Sequence, residues 1–216
     1  MARQERAEQT RRALIAAAAS EFDQHGYAGT SLARIGAGAG VTMGAMTFHF
    51  PVKIAIARTV HEAGAGATRD ALRRVHEDAG PGLQAVIDLT HALAGILESD
   101  TQVRAAARLA REKPDAVGDW RAEWLPVLKD LLDAAGDHLP DGIEPAEVGP
   151  LVEFLVAGAE ETSREHHRRT GGAAAGEESG ETRELLTGIW ELLLVGLAHA
   201  SAREELRPAG TPTPRR

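Results

Sequence analysis

The sequence contains no cysteine and few aromatic residues. Without cysteine, the chain cannot form a disulfide, a cysteine-ligated zinc site, an iron–sulfur cluster or a thiol nucleophile. Only 4% of the 216 residues are aromatic, and the β-branched residues that strands also favour are sparse. No segment reaches the roughly 18 consecutive apolar residues that a membrane span requires. These absences predict an all-α, cytoplasmic protein that has no membrane partner.

Motifs for catalysis and for metal binding are also missing. The sequence has nine histidines, but no two of them form the i, i+4 pair with which a helix binds zinc. None of the GxSxG, HExxH or Walker patterns occurs, and the glycines around Gly38 lack the GxGxxG spacing of a nucleotide-binding loop. We therefore expect no catalytic residues, no metal and no cofactor.

The charge is distributed unevenly along the chain. Residues 1–60 contain seven basic and four acidic residues, a net of +3, which leaves −11 for the other residues out of a total of −8. A basic end on an acidic body is typical of a protein that contacts phosphate groups at one end. The hydrophobic fraction of 43% is ordinary for a globular protein and suffices for a core.

Apolar residues at helical spacing predict nine helices, three short ones near the amino terminus followed by six longer ones. Gly26 is expected to end the first helix, because glycine is common just past the last helical turn. Thr30 or Ser31 can cap the second helix and Thr42 the third. We place the boundary of the first domain at residue 52, a second domain over 53–205, and a disordered, proline-containing tail over 206–216. The Gly/Ala/Glu/Ser-rich segment 170–181 predicts a flexible loop.

The most informative segment runs from Thr30 to Phe50. Two short helices are joined there by the tight turn Ala39-Gly40-Val41. Gly40 lies where a helix-turn-helix requires a residue that tolerates positive φ. The apolar residues that can lock the two helices together are Leu32, Ile35, Val41 and Met46. A packed helical hairpin without any ligand is the alternative interpretation of this spacing.

The second helix of this hairpin has a small, uncharged start that can approach a DNA duplex closely. Threonine and alanine methyl groups can contact the methyl groups of thymine. Lys53 and the amino-terminal arginines can bind phosphates.

Four segments of this region together resemble the TetR family of bacterial repressors in order and spacing. They are Phe22-Asp23-Gln24-His25-Gly26-Tyr27, Thr30-Ser31-Leu32-Ala33-Arg34-Ile35, Ala39-Gly40-Val41-Thr42-Met43-Gly44-Ala45 and Phe48-His49-Phe50-Pro51-Val52-Lys53. The resemblance covers about the first 60 residues, and the nine-helix layout matches the rest. It implies a non-enzymatic repressor with a three-helix DNA-binding head, a ligand-binding and dimerisation body, and a homodimer on double-stranded operator DNA. The DNA-binding residues that it implies are Arg11, Thr30, Ser31, Arg34, Thr42, Met43, Gly44, Ala45, Thr47, Phe48, His49 and Lys53.

The body also resembles one subgroup of that family, the γ-butyrolactone autoregulator receptors of antibiotic-producing actinomycetes. The resemblance rests on residues 103–109, on Trp124 followed by Leu131-Leu132, and on residues 190–197. Members carry a tryptophan in the ligand pocket, for which Trp124 is the match and Trp120 the rival. A core role is the alternative for Trp124. The walls expected for a small, mostly apolar ligand are Val86, Leu89, Leu93, Leu97, Trp120, Trp124, Leu128 and Phe154.

Several residues depart from the family pattern. Met43 stands where a basic residue is frequent, and Phe48 replaces a tyrosine whose hydroxyl could reach a phosphate. Val52 and Ile54 replace the usual serine and glutamate around Lys53. We therefore expect weaker DNA binding or a different operator. The same subgroup contains pseudo-receptors that respond to antibiotics or other signals.

The resemblance suggests a homodimer built on the last two helices, with recognition helices roughly 34 Å apart in successive major grooves of a pseudo-palindromic operator. A ligand between the fourth and eighth helices would shift the fourth helix and spread the two heads. The competing hypotheses are a helical small-molecule carrier or an enzyme that uses the apolar cavity without DNA, and a helical adaptor whose last helix binds another protein.

Overall fold

A computed structural model of the chain describes residues 2–78, 82–112, 117–136, 139–170 and 180–212. Every regular element within these ranges is a helix, so the predicted all-α class is confirmed. None of the helices there is both long and apolar enough to cross a membrane. The nine predicted helices are present as α1–α9, and a short α10 follows them. The bounds are α1 (Ala2–Gly29), α2 (Leu32–Gly38), α3 (Met43–His49), α4 (Lys53–Asp78), α5 (Leu83–Ser99), α6 (Thr101–Glu112), a 3₁₀ turn (Trp120–Glu123), α7 (Leu125–Ala135), α8 (Pro145–Thr170), α9 (Glu181–Leu197) and α10 (Ala200–Arg203).

Local sequence signals set the ends of the short helices. Gly26 interrupts α1 with φ 69° and ψ −178°, as its position predicted. Ser31 caps α2, because its hydroxyl accepts a hydrogen bond from the Arg34 backbone N–H at 3.3 Å. Thr42 caps α3 in the same way through the Ala45 N–H, also at 3.3 Å. The starts of α2 and α3 therefore follow from these two caps, and the break in α1 follows from Gly26.

The described chain divides into two compact units. The first contains residues 1–67 and 100–121, and the second contains 68–99 and 122–216, so that α4 belongs partly to each. In the first unit, α1 packs against α2 and α6. The buried core of this unit is formed by Leu14, Ala18, Ala19, Phe22, Ile35, Met46, Phe50, Ile56, Ala57, Val60, Ala105, Leu109 and Val117.

In the second unit, α5 is the central helix and packs against α7, α8 and α9. Its inner face is apolar, and the Thr90 hydroxyl on it is fully hydrogen-bonded. That hydroxyl donates to the Ile87 carbonyl at 2.7 Å and accepts from the Trp190 indole N–H at 2.8 Å. Trp190 is fully buried. The hydrogen bond fixes the indole of α9 against α5 in the core.

The carboxyl-terminal segment corrects the prediction of a disordered tail over 206–216. Residues 207–211 are held against α5 by the side chains of Gln84, Asp88 and His91. Gln84 accepts from the Arg207 N–H at 2.7 Å, and Asp88 accepts from the Thr211 N–H at 2.7 Å. These hydrogen bonds supply the order that the prolines alone would not. Residues 213–216, and 171–179 of the predicted flexible loop, lie outside the described residues.

Candidate functional site

The hairpin of α2 and α3 is locked by the residues that its spacing predicted. Ile35 and Met46 are fully buried, and Leu32 and Val41 pack against them. Gly40 has φ +67°, and a Cβ placed on it would meet no atom within 4 Å. The glycine is therefore required by the backbone conformation of the turn and not by lack of space.

The outer face of α3 is solvent-exposed and carries no charge. It consists of Met43, Gly44, Thr47 and Phe48, while Met46 faces the core. The exposed fractions are 52% for Met43 and 82% for Phe48, which are large values for apolar side chains. An exposed apolar helix face, with the exposed Arg11 and Arg34 on the other two helices of the head, is suited to approach a charged, grooved polymer closely.

Polar residues near the outer face of α3 contact other residues of the first unit. The Arg11 guanidinium lies 5.3 Å from the centre of the Phe50 ring. Arg34 forms an ion pair with Glu21 at 2.9 Å, and its side chain remains 48% exposed. The His49 ring meets the Phe48 ring edge-on, with the ring centres 5.3 Å apart. Arg11, Ser31 and Arg34 are exposed and stay predicted DNA contacts, as do His49 and Ala45.

Two predicted DNA contacts, Thr30 and Lys53, are engaged in holding the fold. Thr30 is buried, and its hydroxyl meets the Gly26 carbonyl at 2.8 Å and the Glu21 carbonyl at 3.0 Å. The Lys53 ammonium donates to the carbonyls of Tyr27 and Thr30 at 2.7 and 2.8 Å. It also lies 4.3 Å from the Tyr27 ring centre. These polar groups satisfy carbonyls at the end of α1, and the assignment of Thr30 and Lys53 to DNA stays a prediction.

A buried polar network that the sequence did not reveal joins α6 to the end of α1. Arg104 donates to the Asp23 carboxylate at 2.9 Å, and the two side chains are only 4% and 8% exposed. Arg108 donates to the Asp23 carbonyl at 2.6 Å and pairs with Glu112 at 3.0 Å. The Glu112 carboxylate also accepts from the Tyr27 N–H. The available signal was the spacing of 104, 108 and 112, which places three charged residues on one face of α6.

Most of the predicted ligand walls are buried in the second unit. Val86, Leu89, Leu93 and Leu97 form the inner face of α5, and Trp124 and Leu128 begin α7. Trp120 is buried in the first unit, within the 3₁₀ turn. The structure thus buries six of the eight predicted walls in one unit, and their role in ligand binding stays a prediction.

Phe154 does not line an interior site. Its side chain is 77% exposed on α8, whereas Val152 and Val156 on the same helix are buried. Position 154 is two residues from each of them and points away from the core, since residues two apart face different sides of a helix. Phe154 is therefore a surface residue of the single chain.

A cavity of about 460 Å³ in the second unit lies on the other side of α5. Its lining includes Arg74, Asp88, His91 and Arg183, together with residues 209–212. Burial is the main cause that lowers the pKa of His91 below 6.5, outweighing the hydrogen bond to the Pro208 carbonyl. None of the predicted ligand walls lines this cavity.

Exposed apolar residues also form a stripe on α9. The stripe consists of Leu185, Ile189, Leu192 and Val195, spaced by three or four residues along the helix. Leu192 is 76% exposed. A stripe of this kind is typical of a helix that packs against a further helix. Within the described residues, no group of three or more histidine, aspartate or glutamate side chains is placed to bind a metal.

Comparisons with known proteins agree with this geometry. The family model described as "Bacterial regulatory proteins, tetR family" matches residues 14–60. The A-factor receptor protein of Streptomyces griseus is 30% identical over 215 residues, covering 97% of this chain and 71% of the relative. Among solved structures, a gamma-butyrolactone receptor (ArpA-like protein) superposes with a TM-score of 0.74 at 25% identity, over 94% of this chain and 96% of that one. CprB from Streptomyces coelicolor, in complex with its biological operator sequence, superposes with a TM-score of 0.71 at 27% identity, over 93% and 94% of the two chains.

Proposed function

Because this chain belongs to the tetR family of bacterial regulatory proteins, we propose that it is a ligand-responsive, DNA-binding transcriptional repressor. It acts in the cytoplasm as a homodimer and leaves a pseudo-palindromic operator when a small, mostly apolar signal binds. The family consists of regulatory proteins, which leaves the carrier, enzyme and adaptor hypotheses without support. The relatives named as receptors for A-factor and for a gamma-butyrolactone favour a butyrolactone-like signal.

The observation that carries this proposal is the solvent-facing surface of α3. Thr42 caps the helix, Gly40 makes the turn and Met46 anchors the inner side. The outer side is left free to enter a major groove, as the second helix of a helix-turn-helix does. The relative CprB has been studied in complex with its biological operator sequence, and its structure superposes over 93% of this chain.

The homodimer forms through the apolar stripe of α9 together with Phe154 on α8. These side chains are exposed in the single chain, and burying them against a second copy removes apolar surface from water. A two-fold arrangement places the same stripe on both partners, so the interface is self-complementary. Four helices, two from each chain, then form the contact.

Ligand binding lowers DNA affinity by favouring a conformation in which the two heads no longer fit the operator. A ligand that prefers this conformation by about 2.7 kcal/mol reduces DNA affinity roughly a hundredfold. The walls contributed by α5 and by Trp124 and Leu128 hold the apolar ligand. The signal reaches the first unit along α4, which continues from one unit into the other.

Gel-shift titration of genomic duplexes tests the proposal, with variants matched by chemistry. Thr47 and Thr187 each donate their hydroxyl to the carbonyl four residues earlier, Thr47 on α3 and Thr187 on α9. Thr47→Asp places a carboxylate on the outer face of α3 and should weaken specific binding at least tenfold, because it repels phosphates. Thr187→Asp should bind as the parent does. Equal binding by both variants would contradict the proposal that α3 contacts DNA.

Release by ligand is tested on the bound duplex. A synthetic alkyl γ-butyrolactone should release the parent from DNA, and Trp124→Phe should require a higher concentration for release while binding the duplex unchanged. A Trp190→Phe variant serves as the matched control, because Trp190 is equally buried but not among the predicted walls. Unchanged release in Trp124→Phe would place the ligand elsewhere.

A further inference from the structure

The DNA-facing side of α3 lacks the side chains that read bases through paired hydrogen bonds. Its exposed residues are Met43, Gly44, Thr47 and Phe48. Arginine and lysine recognise guanine, and asparagine and glutamine recognise adenine, by paired hydrogen bonds to base edges in the major groove. None of these residue types occurs between 42 and 49.

The two hydroxyl groups of the helix are already turned towards its own backbone. The Thr47 hydroxyl donates to the Met43 carbonyl at 3.0 Å and approaches the Gly44 carbonyl at 3.3 Å. The Thr42 hydroxyl accepts from the Ala45 N–H at 3.3 Å. Thr47 is exposed, so its methyl group is open to a partner, while its hydroxyl proton is already donated to the helix backbone.

The outer face of α3 is therefore a surface of methyl, thioether and aromatic groups. In the major groove only one feature of the bases is apolar, the C5-methyl group of thymine. We propose that α3 reads its operator chiefly through thymine methyl groups, which pack against Met43, Thr47 and Phe48. This inference rests on the proposed function and specifies which chemistry of the operator the helix recognises.

The proposal also explains how a helix whose outer face carries no charge can serve a DNA-binding head. Arg11 and Arg34 are exposed on neighbouring helices, where they can supply the sequence-independent attraction to phosphates. Sequence discrimination then comes from apolar contacts, each equivalent to the burial of one methyl group. At ~0.8 kcal/mol for each group, losing one contact weakens binding about fourfold.

The test begins with selection of duplexes from a random pool by the full-length protein. Deoxyuridine then replaces thymidine inside the half-sites, the two related sequences that the selected duplexes share. This replacement removes only the C5-methyl group of the base. A control duplex carries the same number of uracils outside the half-sites. Binding should weaken about fourfold for each methyl group lost inside the half-sites and should not change for the control duplex.

Variants of the protein identify the contacting side chains. Thr47→Ser keeps the hydroxyl and its hydrogen bond but removes the methyl group. At one thymine position, the uracil penalty of about fourfold should then nearly vanish, because the protein side of the contact is already missing. Thr187→Ser should keep the full penalty. Met43→Ala should remove the penalty at a different thymine.

The outcomes separate this inference from the function on which it rests. Selection of no duplex at all would overturn both. Selection of a specific duplex whose uracil form binds as tightly as its thymine form would overturn the thymine reading alone, and so would selected half-sites that contain no thymine at fixed positions. A uracil penalty that persists unchanged in both Thr47→Ser and Met43→Ala would also overturn it.

Discussion

The ion pair between Arg104 and Asp23 is the interaction of the first unit whose removal should have the largest effect on stability. Arg104 lies on α6 and Asp23 on α1, with nitrogen and oxygen 2.9 Å apart and side chains only 4% and 8% exposed. Arg104→Met keeps the length of the side chain but leaves the Asp23 carboxylate in the interior without its main counter-ion. The variant should unfold more easily than the parent.

The expected loss of unfolding free energy in Arg104→Met follows from the burial of the ion pair. Removing one partner of a buried pair costs about 3–5 kcal/mol, because the remaining charge stays desolvated. Arg108 lies nearby and donates to the Asp23 backbone carbonyl at 2.6 Å, so its charge compensates in part. We expect a loss of about 3 kcal/mol, which corresponds to roughly 6–12 °C in Tm for a chain of this size.

Urea unfolding, followed by far-UV circular dichroism at one fixed protein concentration, measures the loss. Arg168→Met is the matched control. The Arg168 side chain is 53% exposed and pairs with Glu161 and Glu165 at 3.3 and 2.8 Å. An exposed pair contributes little, so this control should lose no more than about 0.5 kcal/mol.

A double variant shows whether Arg104→Met is destabilised by the unpaired Asp23 carboxylate or by lost side-chain packing. Asp23→Leu combined with Arg104→Met removes both charges and should recover most of the stability lost by Arg104→Met. If the double variant is less stable than Arg104→Met, or if Arg104→Met and Arg168→Met lose equal stability, the reasoning from burial is refuted.

Three further predictions concern single residues. Lys53→Met should lose about 2 kcal/mol of unfolding free energy, since its ammonium satisfies two carbonyls; a variant of parental stability would refute this structural role of Lys53. Gly40→Ala should cost about 1 kcal/mol in urea unfolding because φ is +67°, and Gly40→Asn should cost less; equal cost in both would refute the backbone explanation. Burial lowers the pKa of His91 below 6.5, so the unfolded chain binds the proton first, and stability falls as the pH drops from about 6.5 through the lowered pKa. The free energy of unfolding of His91→Gln should therefore fall less than that of the parent between about pH 7 and pH 5. An equal fall in the two proteins would contradict the assignment of this pH dependence to His91.

The sequence predicted the hairpin well because its determinants are local. Gly40, Met46 and the Thr42 cap act on residues within one or two turns of themselves, and such signals are visible in a short window of sequence. The resemblance to the family added the order of the helices. The architecture therefore followed from periodicity, caps and turn chemistry together.

The features that the sequence did not predict depend on the whole fold. Lys53 stays a predicted phosphate ligand, but the fold also brings its ammonium to the carbonyl of Tyr27, 26 residues earlier, at the end of α1. Phe154 fitted an apolar pattern, yet periodicity alone does not say whether an apolar face meets the core or a second copy. Gln84, Asp88 and His91 are polar residues at helical spacing on α5, which was the available sign that a segment would dock there.

The account depends most directly on two copies of α3 lying in successive major grooves of one duplex. Hydroxyl-radical footprinting of the full-length protein on a selected duplex measures this. We predict two protected clusters on one face of the duplex, roughly one helical turn or about 34 Å apart, both absent with Thr47→Asp. A single protected cluster, or two clusters that persist with Thr47→Asp, would contradict the account.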